Sequence, residues 1–102
     1  MIEVNRTPAE TIITVSGINR VTVTNAGELK AAVVDCLTKD KENVVLDLNE
    51  IKYIDSTGIS VLISGVKSAR ENNLRFELQN VQEEVMKLMR LMKIDKIIDI
   101  RH

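Results

Sequence analysis

The chain is poor in the residues that most catalytic and metal-binding sites require. It contains one cysteine, Cys36, one histidine, His102, and no tryptophan. A single cysteine excludes an intrachain disulfide and a cysteine-based zinc site. With its only histidine at what we interpret as a frayed terminus, the chain cannot assemble a Ser-His pair or a histidine-bearing metal site. It also lacks a glycine-rich phosphate loop, so we expect no metal, no cofactor and no enzymatic activity.

Aromatic residues and blocks of like charge are also scarce. Tyr53 and Phe76 are the only rings, and 14 basic residues face 15 acidic ones, for a net charge of −1. Nucleic-acid binding would need stacking aromatics or a basic stripe, so we do not expect it. No apolar run approaches the roughly 18 residues that span a bilayer, and the first residues lack the pattern of a signal peptide. These absences favour a cytoplasmic protein without a membrane insertion.

The residues that are present favour a small α/β protein. Hydrophobic residues make up 44% and charged residues 28% of 102 positions, which is enough for one domain over residues 1–102, expected to be a monomer. The pattern predicts strands at residues 2–6, 11–16, 44–48, 74–78 and 97–100, a brief extension at 21–23, and three helices between them. The order β-β-α-β-α-β-α-β predicts a mixed, mostly parallel sheet of four to five strands, with the first pair antiparallel.

Two capping-box spacings predict helix starts. Asn25 lies three residues before Glu28, which predicts a start near Thr24 or Asn25, and Asn80 lies three residues before Glu83. Helical periodicity then predicts the core-facing residues of the three helices. They are Leu29, Ala32, Val33, Cys36 and Leu37 in the first, Ile59, Leu62, Ile63, Val66 and Ala69 in the second, and Val81, Val85, Leu88 and Met92 in the third.

The most informative segment is the tetrapeptide Asp55-Ser56-Thr57-Gly58, where a buried-type strand and a polar connection lead into a helix. Ser56 or Asp55 could be an ordinary N-cap, since Ser and Asp are preferred there. A cap needs only one such residue, however, and three occur in succession. Gly58 in the first turn costs about 1 kcal/mol relative to alanine. We interpret the bare backbone as a place that another group approaches closely.

The same helix carries a row of small hydroxyl residues. Ser56, Ser60, Ser64 and Ser68 recur at every fourth position, and we expect Val61 and Gly65 to lie beside them on the outward face. An ordinary exposed face would carry Lys and Glu. The row is suited to docking of another protein, and the alternative is a solvated or partly buried polar stripe.

These residues resemble a known signature. The run Val44–Leu48, followed by Tyr53–Ile59, is similar to the STAS domain, and specifically to bacterial anti-sigma factor antagonists, in which a strand leads to an Asp-Ser-Ser/Thr-Gly-Leu motif at a helix start. Supporting segments are 15–17, 26–29, 87–89 and 97–98, so the resemblance extends over nearly the whole chain.

The resemblance implies a phosphorylation-controlled partner switch. Ser56 would be the phosphoacceptor, with Thr57 less favoured. The implied partner is an anti-sigma factor that is also a serine kinase with a histidine-kinase-like ATPase fold, and a PP2C-type phosphatase would reset the cycle. Unphosphorylated antagonist would bind the anti-sigma factor and release the sigma factor. The implied partner-binding residues are Asn19, Thr24, Asp55, Ser56, Thr57, Gly58, Ser60 and Ser64.

One loop departs from the family pattern. Many members carry an acidic pair after the second strand, in the pattern Gly-Glu-Leu/Ile-Asp, whereas this chain has Gly17-Ile18-Asn19-Arg20. The departure leaves the identity of the partner open. An alternative function is a STAS scaffold subunit of a signalling assembly or of a lipid ABC transporter, which would use the same helix face without phosphorylation. A small-ligand or nucleotide site at the strand ends is a third possibility, although no pocket motif supports it.

Overall fold

The computed structural model describes residues 1–101 and has the predicted alternation of strands and helices. His102 lies outside the described residues, and so does the interpretation of its role. The strands are β1 (Ile2–Arg6), β2 (Thr11–Val15), β3 (Arg20–Val21), β4 (Val44–Asp47), β5 (Tyr53–Ile54), β6 (Phe76–Gln79) and β7 (Asp99–Arg101). The helices are α1 (Ala26–Thr38), α2 (Ser56–Glu71) and α3 (Glu83–Leu91), with a 3-10 turn at Ile94–Lys96. Within residues 1–101, no helix combines the length and the apolar character that crossing a membrane requires.

Five strands form one sheet in the order β1-β2-β4-β6-β7. β1 is antiparallel to β2, and the other three pairs are parallel. The antiparallel pair follows from its short connection, in which the Thr7 N–H donates to the Glu10 carbonyl at 2.9 Å, while helices provide the crossovers between parallel strands. The predicted mixed, mostly parallel sheet is confirmed. β3 and β5 form a second sheet of two strands, and β5 was not predicted.

The hydrophobic core lies between the helices and one face of the sheet. The buried strand residues Ile13, Leu46 and Leu78 share a single cluster with buried residues from all three helices. Because side chains alternate along a strand, these residues project from the same face of the sheet. The core is built almost entirely of aliphatic side chains, with Phe76 as its one ring.

The predicted helix start near Asn25 is confirmed, although its side chain makes no cap hydrogen bond, whereas the start predicted at Asn80 is wrong. Asn25 is at the N-cap position of α1, but its side chain accepts from the Thr22 N–H at 3.0 Å and donates to the Arg20 carbonyl at 2.9 Å. Asn80 has a left-handed backbone (φ 56°), and α3 begins at Glu83 instead. In each case the side-chain amide forms hydrogen bonds other than a cap, within the preceding turn for Asn25 and to another strand for Asn80. The Asn80 side chain donates to Asp47 at 3.0 Å.

Three residues of α2 lie on the opposite side of the helix from the one predicted. Val61 and Gly65, predicted outward, are buried, whereas Ile63, predicted to be in the core, is 43% exposed. Met92 is 46% exposed because α3 ends at Leu91, and Met89 fills the core position at 0% exposure. The outward face of α2 therefore does not have Val61 and Gly65 beside the serine row, contrary to the prediction, and carries Ile63 instead.

The last two strands begin two residues later than predicted. β6 begins at Phe76 and β7 at Asp99, while the 3-10 turn Ile94–Lys96 occupies the approach to β7. Lys93, which precedes that turn, has a left-handed backbone (φ 61°). The apolar run Ile97–Ile100 predicts a strand but gives no sign of this turn before it.

Candidate functional site

The two-stranded sheet carries the Asp55–Gly58 segment. Arg20 pairs with Tyr53 and Val21 with Ile54, in parallel register. The Asn19 carbonyl accepts hydrogen bonds from the N–H groups of Lys52 at 2.8 Å and Tyr53 at 3.2 Å. The Asp55 N–H donates to the Val21 carbonyl at 3.1 Å. The loop that ends at Asn19 is thereby held beside the start of α2.

Asp55 caps α2. Its backbone is extended, and its Oδ1 accepts from the N–H groups of Thr57 at 2.9 Å and Gly58 at 3.2 Å. The Thr57 hydroxyl donates to the same oxygen. The hydrogen bond from that hydroxyl, followed by those from the backbone N–H groups of Gly58, Thr57 and Val23, lowers the pKa of Asp55. The carboxylate is therefore engaged in holding the helix start and is not a free general base.

The two neighbouring hydroxyls differ in their surroundings. Ser56 is the first residue of α2 and is exposed, and its hydroxyl has no hydrogen-bond partner among residues 1–101. Thr57 is half-buried, and its hydroxyl is bound to Asp55. Ser56 is consequently the more accessible of the two hydroxyls.

Gly58 faces the interior. A Cβ at this position would lie 2.3 Å from Cγ1 of Ile54 and 3.1 Å from Cγ1 of Val21. The close approach inferred from the bare backbone is thus made by the chain's own two-stranded sheet. Glycine at position 58 lets the first turn of α2 pack directly on β3 and β5.

The exposed face of α2 combines hydroxyl, apolar and basic side chains. Ser56 and Ser60 are exposed, while Ser64 and Ser68 are partly buried. Successive residues of a helix are rotated by about 100°, so a row with a spacing of four drifts by about 40° at each step. Ile63 and Lys67, both exposed, occupy the face that the serine row leaves.

The turn between β3 and α1 adjoins the same site. Val23, whose N–H lowers the pKa of the Asp55 carboxyl, is 76% exposed, and Thr24 next to it is exposed. Asn19, Thr24, Asp55, Ser56 and Thr57 therefore all lie on or next to the segments that form the two-stranded sheet. Ser60 lies one turn farther along α2, Ser64 is half-buried, and Gly58 is covered.

Sequence reasoning missed Arg20 and Tyr53. The Arg20 guanidinium carbon lies 4.8 Å from the centroid of the Tyr53 ring, and the Tyr53 side chain is 47% exposed. The sequence shows that Tyr53 is one of only two rings, but not that it is exposed or lies under Arg20. The two-residue strand β5 also has no periodicity of its own.

One cluster has the donor types of a metal site. The ligand atoms of Cys36, Asp40 and Glu42 lie within 4.8 Å of one another. Both carboxylates pair with Arg6 at 3.0 Å, which offsets one of their two negative charges. Burial raises the pKa of Cys36 and disfavours the thiolate that a metal needs. We assign no metal or cofactor to this cluster.

Comparison with known proteins finds curated relatives and solved structures that resemble this chain. The chain is 33% identical over 64 residues to the anti-sigma-B factor antagonist of Listeria monocytogenes, an alignment that covers 61% of this chain and 56% of that protein. The chain thus spans little more than half the length of the curated relative that it matches.

Solved structures have the same fold. An anti-sigma-factor antagonist (STAS) domain protein from Planctomyces limnophilus superposes with a TM-score of 0.84 at 19% identity, covering 98% of this chain and 87% of the other. An anti-sigma factor antagonist from Mycobacterium paratuberculosis has a TM-score of 0.82 at 18% identity, with 98% and 83% covered. The model of the STAS domain matches residues 1–102. The chain therefore belongs to the STAS domain family.

Proposed function

We propose that the protein is an anti-sigma factor antagonist whose binding to an anti-sigma factor is controlled by phosphorylation of Ser56. The observation that carries the proposal is the difference between two adjacent hydroxyls. The Ser56 hydroxyl is exposed and has no hydrogen-bond partner among the described residues, whereas the Thr57 hydroxyl donates to Asp55. The relative in Listeria monocytogenes, named an anti-sigma-B factor antagonist, supports the regulatory role.

The proposed partner is an anti-sigma factor that is also a serine kinase with a histidine-kinase-like ATPase fold, and a PP2C-type phosphatase removes the phosphate. The docking surface in this proposal consists of Asn19, Thr24, Asp55, Ser56, Thr57 and Ser60, with Ser64 at its edge. Gly58 contributes indirectly, because it allows α2 to pack against Ile54 and so sets the height of Ser56 above the two-stranded sheet.

The electrostatics give the switch its direction. Phosphorylation adds about −1.5 to −2 charge beside the carboxylate of Asp55. In the free protein the phosphate stays in solvent at the positive end of the α2 dipole, while the N–H groups of Thr57 and Gly58 remain bonded to Asp55. Against a docked protein the same charge is desolvated and crowded, which opposes binding. A hundredfold loss of affinity needs only about 2.7 kcal/mol, so a single modification is sufficient without unfolding of the domain.

Phosphorylation of matched variants tests the proposal. The chain is incubated with ATP and each anti-sigma kinase of its source organism, and the phosphate is located by mass spectrometry. We expect stoichiometric phosphate on the wild type and on Thr57→Ala, and none on Ser56→Ala. Ser56→Asp should weaken binding to the kinase by at least about 100-fold, while Ser56→Ala retains it.

Two outcomes would contradict the proposal. The first is the absence of phosphate on Ser56 with every kinase. The second is equal binding of Ser56→Asp and Ser56→Ala, which would favour the constitutive scaffold instead.

A further inference from the structure

The two-stranded sheet presents an uncovered basic–aromatic patch, which we define as Arg20, Val23, Lys52 and Tyr53. All four residues are exposed, and the values for the apolar members are 76% for Val23 and 47% for Tyr53. Most of the other large apolar side chains are buried in the core. Exposed Tyr and Arg are typical of the residues that dominate binding energy at protein interfaces.

The patch is held in place before any partner arrives. The Arg20 guanidinium stacks over Tyr53 at 4.8 Å from the ring centroid. The Arg20 carbonyl accepts from the Asn25 side chain at 2.9 Å, and the Tyr53 N–H donates to Asn19. A side chain that is already ordered loses less entropy on binding, so such a patch binds more tightly than a flexible one of equal area.

The basic groups of the patch form no ion pair with the chain itself. Within residues 1–101, Arg20 and Lys52 have no carboxylate within ion-pair distance. The nearby carboxylates keep their charge but bind other groups. Asp55 accepts three hydrogen bonds at the start of α2, and Glu50 accepts from the Gly17 N–H at 3.3 Å. The two cationic groups are therefore available to pair with carboxylates of another molecule.

We propose that the basic–aromatic patch binds a carboxylate-bearing segment of the protein that docks at Ser56, and that Arg20 selects an acidic partner surface. The inference rests on the proposed function and adds to it the chemistry of the partner. An arginine fork stacked on a ring is suited to bidentate binding of an Asp or Glu side chain, and Val23 and Tyr53 cover the apolar part of the same segment.

The inference also gives phosphorylation a second effect. Ser56 follows Tyr53 by three residues, where β5 leads into α2. A phosphate of about −1.5 to −2 charge at Ser56 cancels the positive potential that attracts the acidic segment. Binding of the unmodified protein should accordingly weaken as salt is added, because screening acts on the same attraction.

The test compares charge reversal at two exposed basic residues. Arg20→Glu is measured against Lys87→Glu, which makes the same two-unit change of charge. Lys87 lies on α3, outside the patch, and has no ion pair within residues 1–101. Binding to the anti-sigma factor is measured with the complete chain at two salt concentrations, together with the Tm of each variant. We expect Arg20→Glu to lose at least about tenfold in affinity and most of the salt dependence of binding, with its Tm unchanged. Lys87→Glu should keep the affinity and the Tm of the wild type.

A complementary change in the partner completes the test. Replacing the contacting Asp or Glu of the anti-sigma factor with Lys should restore binding to Arg20→Glu while weakening binding to the wild type. Tyr53→Ala should lose several-fold in affinity, and Tyr53→Phe should retain it.

The outcomes separate the two proposals. If Ser56→Asp abolishes binding and Arg20→Glu does not, the inference is overturned and the proposed function stands. If Arg20→Glu weakens binding and Ser56→Asp does not, the patch is supported and the phosphorylation switch is overturned. Absence of binding between the wild type and every anti-sigma factor of its source organism overturns both.

Discussion

Arg101, in the last strand, holds Glu10, which lies 91 positions earlier in the chain, in a two-pronged ion pair. Its Nη2 lies 2.6 Å from Oε1 of Glu10, and its Nη1 lies 3.0 Å from Oε2. Nη2 also lies 3.0 Å from Oε1 of Glu77 in β6. Glu77 alternates with the buried residues Phe76 and Leu78, so the three charged groups meet on the sheet face that the helices leave open.

Removing this guanidinium should lower stability moderately. We expect Arg101→Met to lose about 1 kcal/mol of unfolding free energy, because the side chain is partly exposed and solvent screens the pair, while two carboxylates are left close together. Arg70→Met is the control, since Arg70 is exposed and has no ion pair within residues 1–101. Urea denaturation measures the unfolding free energy of both variants. Equal losses would contradict a stabilising role of the Arg101 ion pairs.

Stability should fall in acid, with Glu10 as one identified cause. Hydrogen bonds from Arg101 lower the pKa of Glu10 below its ordinary value of 4.5. The unfolded chain therefore takes up this proton at a higher pH than the folded chain. The contribution of Glu10 is complete above pH 4.5 and is lost as the pH falls through the lower pKa of the folded state.

The carboxyl group of Asp55 acts in the same direction, since the Thr57 hydroxyl and backbone N–H groups lower its pKa below 3.8. We expect the unfolding free energy of Glu10→Gln to decline less steeply than that of the wild type below pH 4.5. Chemical denaturation at a series of pH values measures this slope, and parallel curves would show that Glu10 makes no such contribution.

A methyl group should have opposite effects at two helical glycines. Gly58→Ala places a Cβ 2.3 Å from Ile54, so we expect a loss of about 2 to 3 kcal/mol. Gly27→Ala, in the first turn of α1, meets nothing within 4 Å and should gain up to about 1 kcal/mol. Thermal or urea unfolding compares the two variants.

The source of the Gly58 loss can be identified with Ile54→Ala, which removes the atoms in conflict. The double variant Gly58→Ala/Ile54→Ala should be more stable than the sum of the two single losses predicts. Strict additivity would mean that the close approach is relieved in some other way.

Val61 and Ile63 should respond differently to truncation, although they lie only two residues apart. Val61 is 2% exposed, so Val61→Ala should cost about 2 kcal/mol. Ile63 is 43% exposed, so Ile63→Ala should change stability by less than about 0.5 kcal/mol. If Ile63 belongs to the docking surface, the same variant weakens binding to the anti-sigma factor, measured by calorimetry.

The sequence predicted most strongly where periodicity is long. The predicted strands at residues 2–6 and 11–16 and the helix after Asp55 rest on alternation or helical spacing. The structure has them at Ile2–Arg6, Thr11–Val15 and Ser56–Glu71. The sequence failed where packing against another element decides an orientation. Gly65 packs so closely on the Phe76 ring that a Cβ would lie 2.5 Å from it, and Val61 shares this buried side of α2 while Ile63 is exposed.

The candidate site was predictable in part. The Asp55–Gly58 motif and its position at a helix start are readable from the residues, as is the nearby Asn19 loop through the family resemblance. The link between them was not, because it depends on β3 and β5, which have two residues each and no pattern. Asn25 shows the same difficulty, since its amide binds Arg20 and Thr22 although its spacing to Glu28 is that of a cap.

The separation of the two sheets has a consequence for local motion. The hydrogen bonds that hold the Ser56 segment run from Lys52, Tyr53 and Asp55 to the carbonyls of Asn19 and Val21, and none belongs to the ladder of the five-stranded sheet. Such a unit can open without breaking the main ladder, and its opening free energy is then lower than that of global unfolding. The amides of Lys52 and Tyr53 are accordingly natural reporters in hydrogen exchange. Their protection can change on phosphorylation or docking while that of Leu46 and Leu78 stays constant.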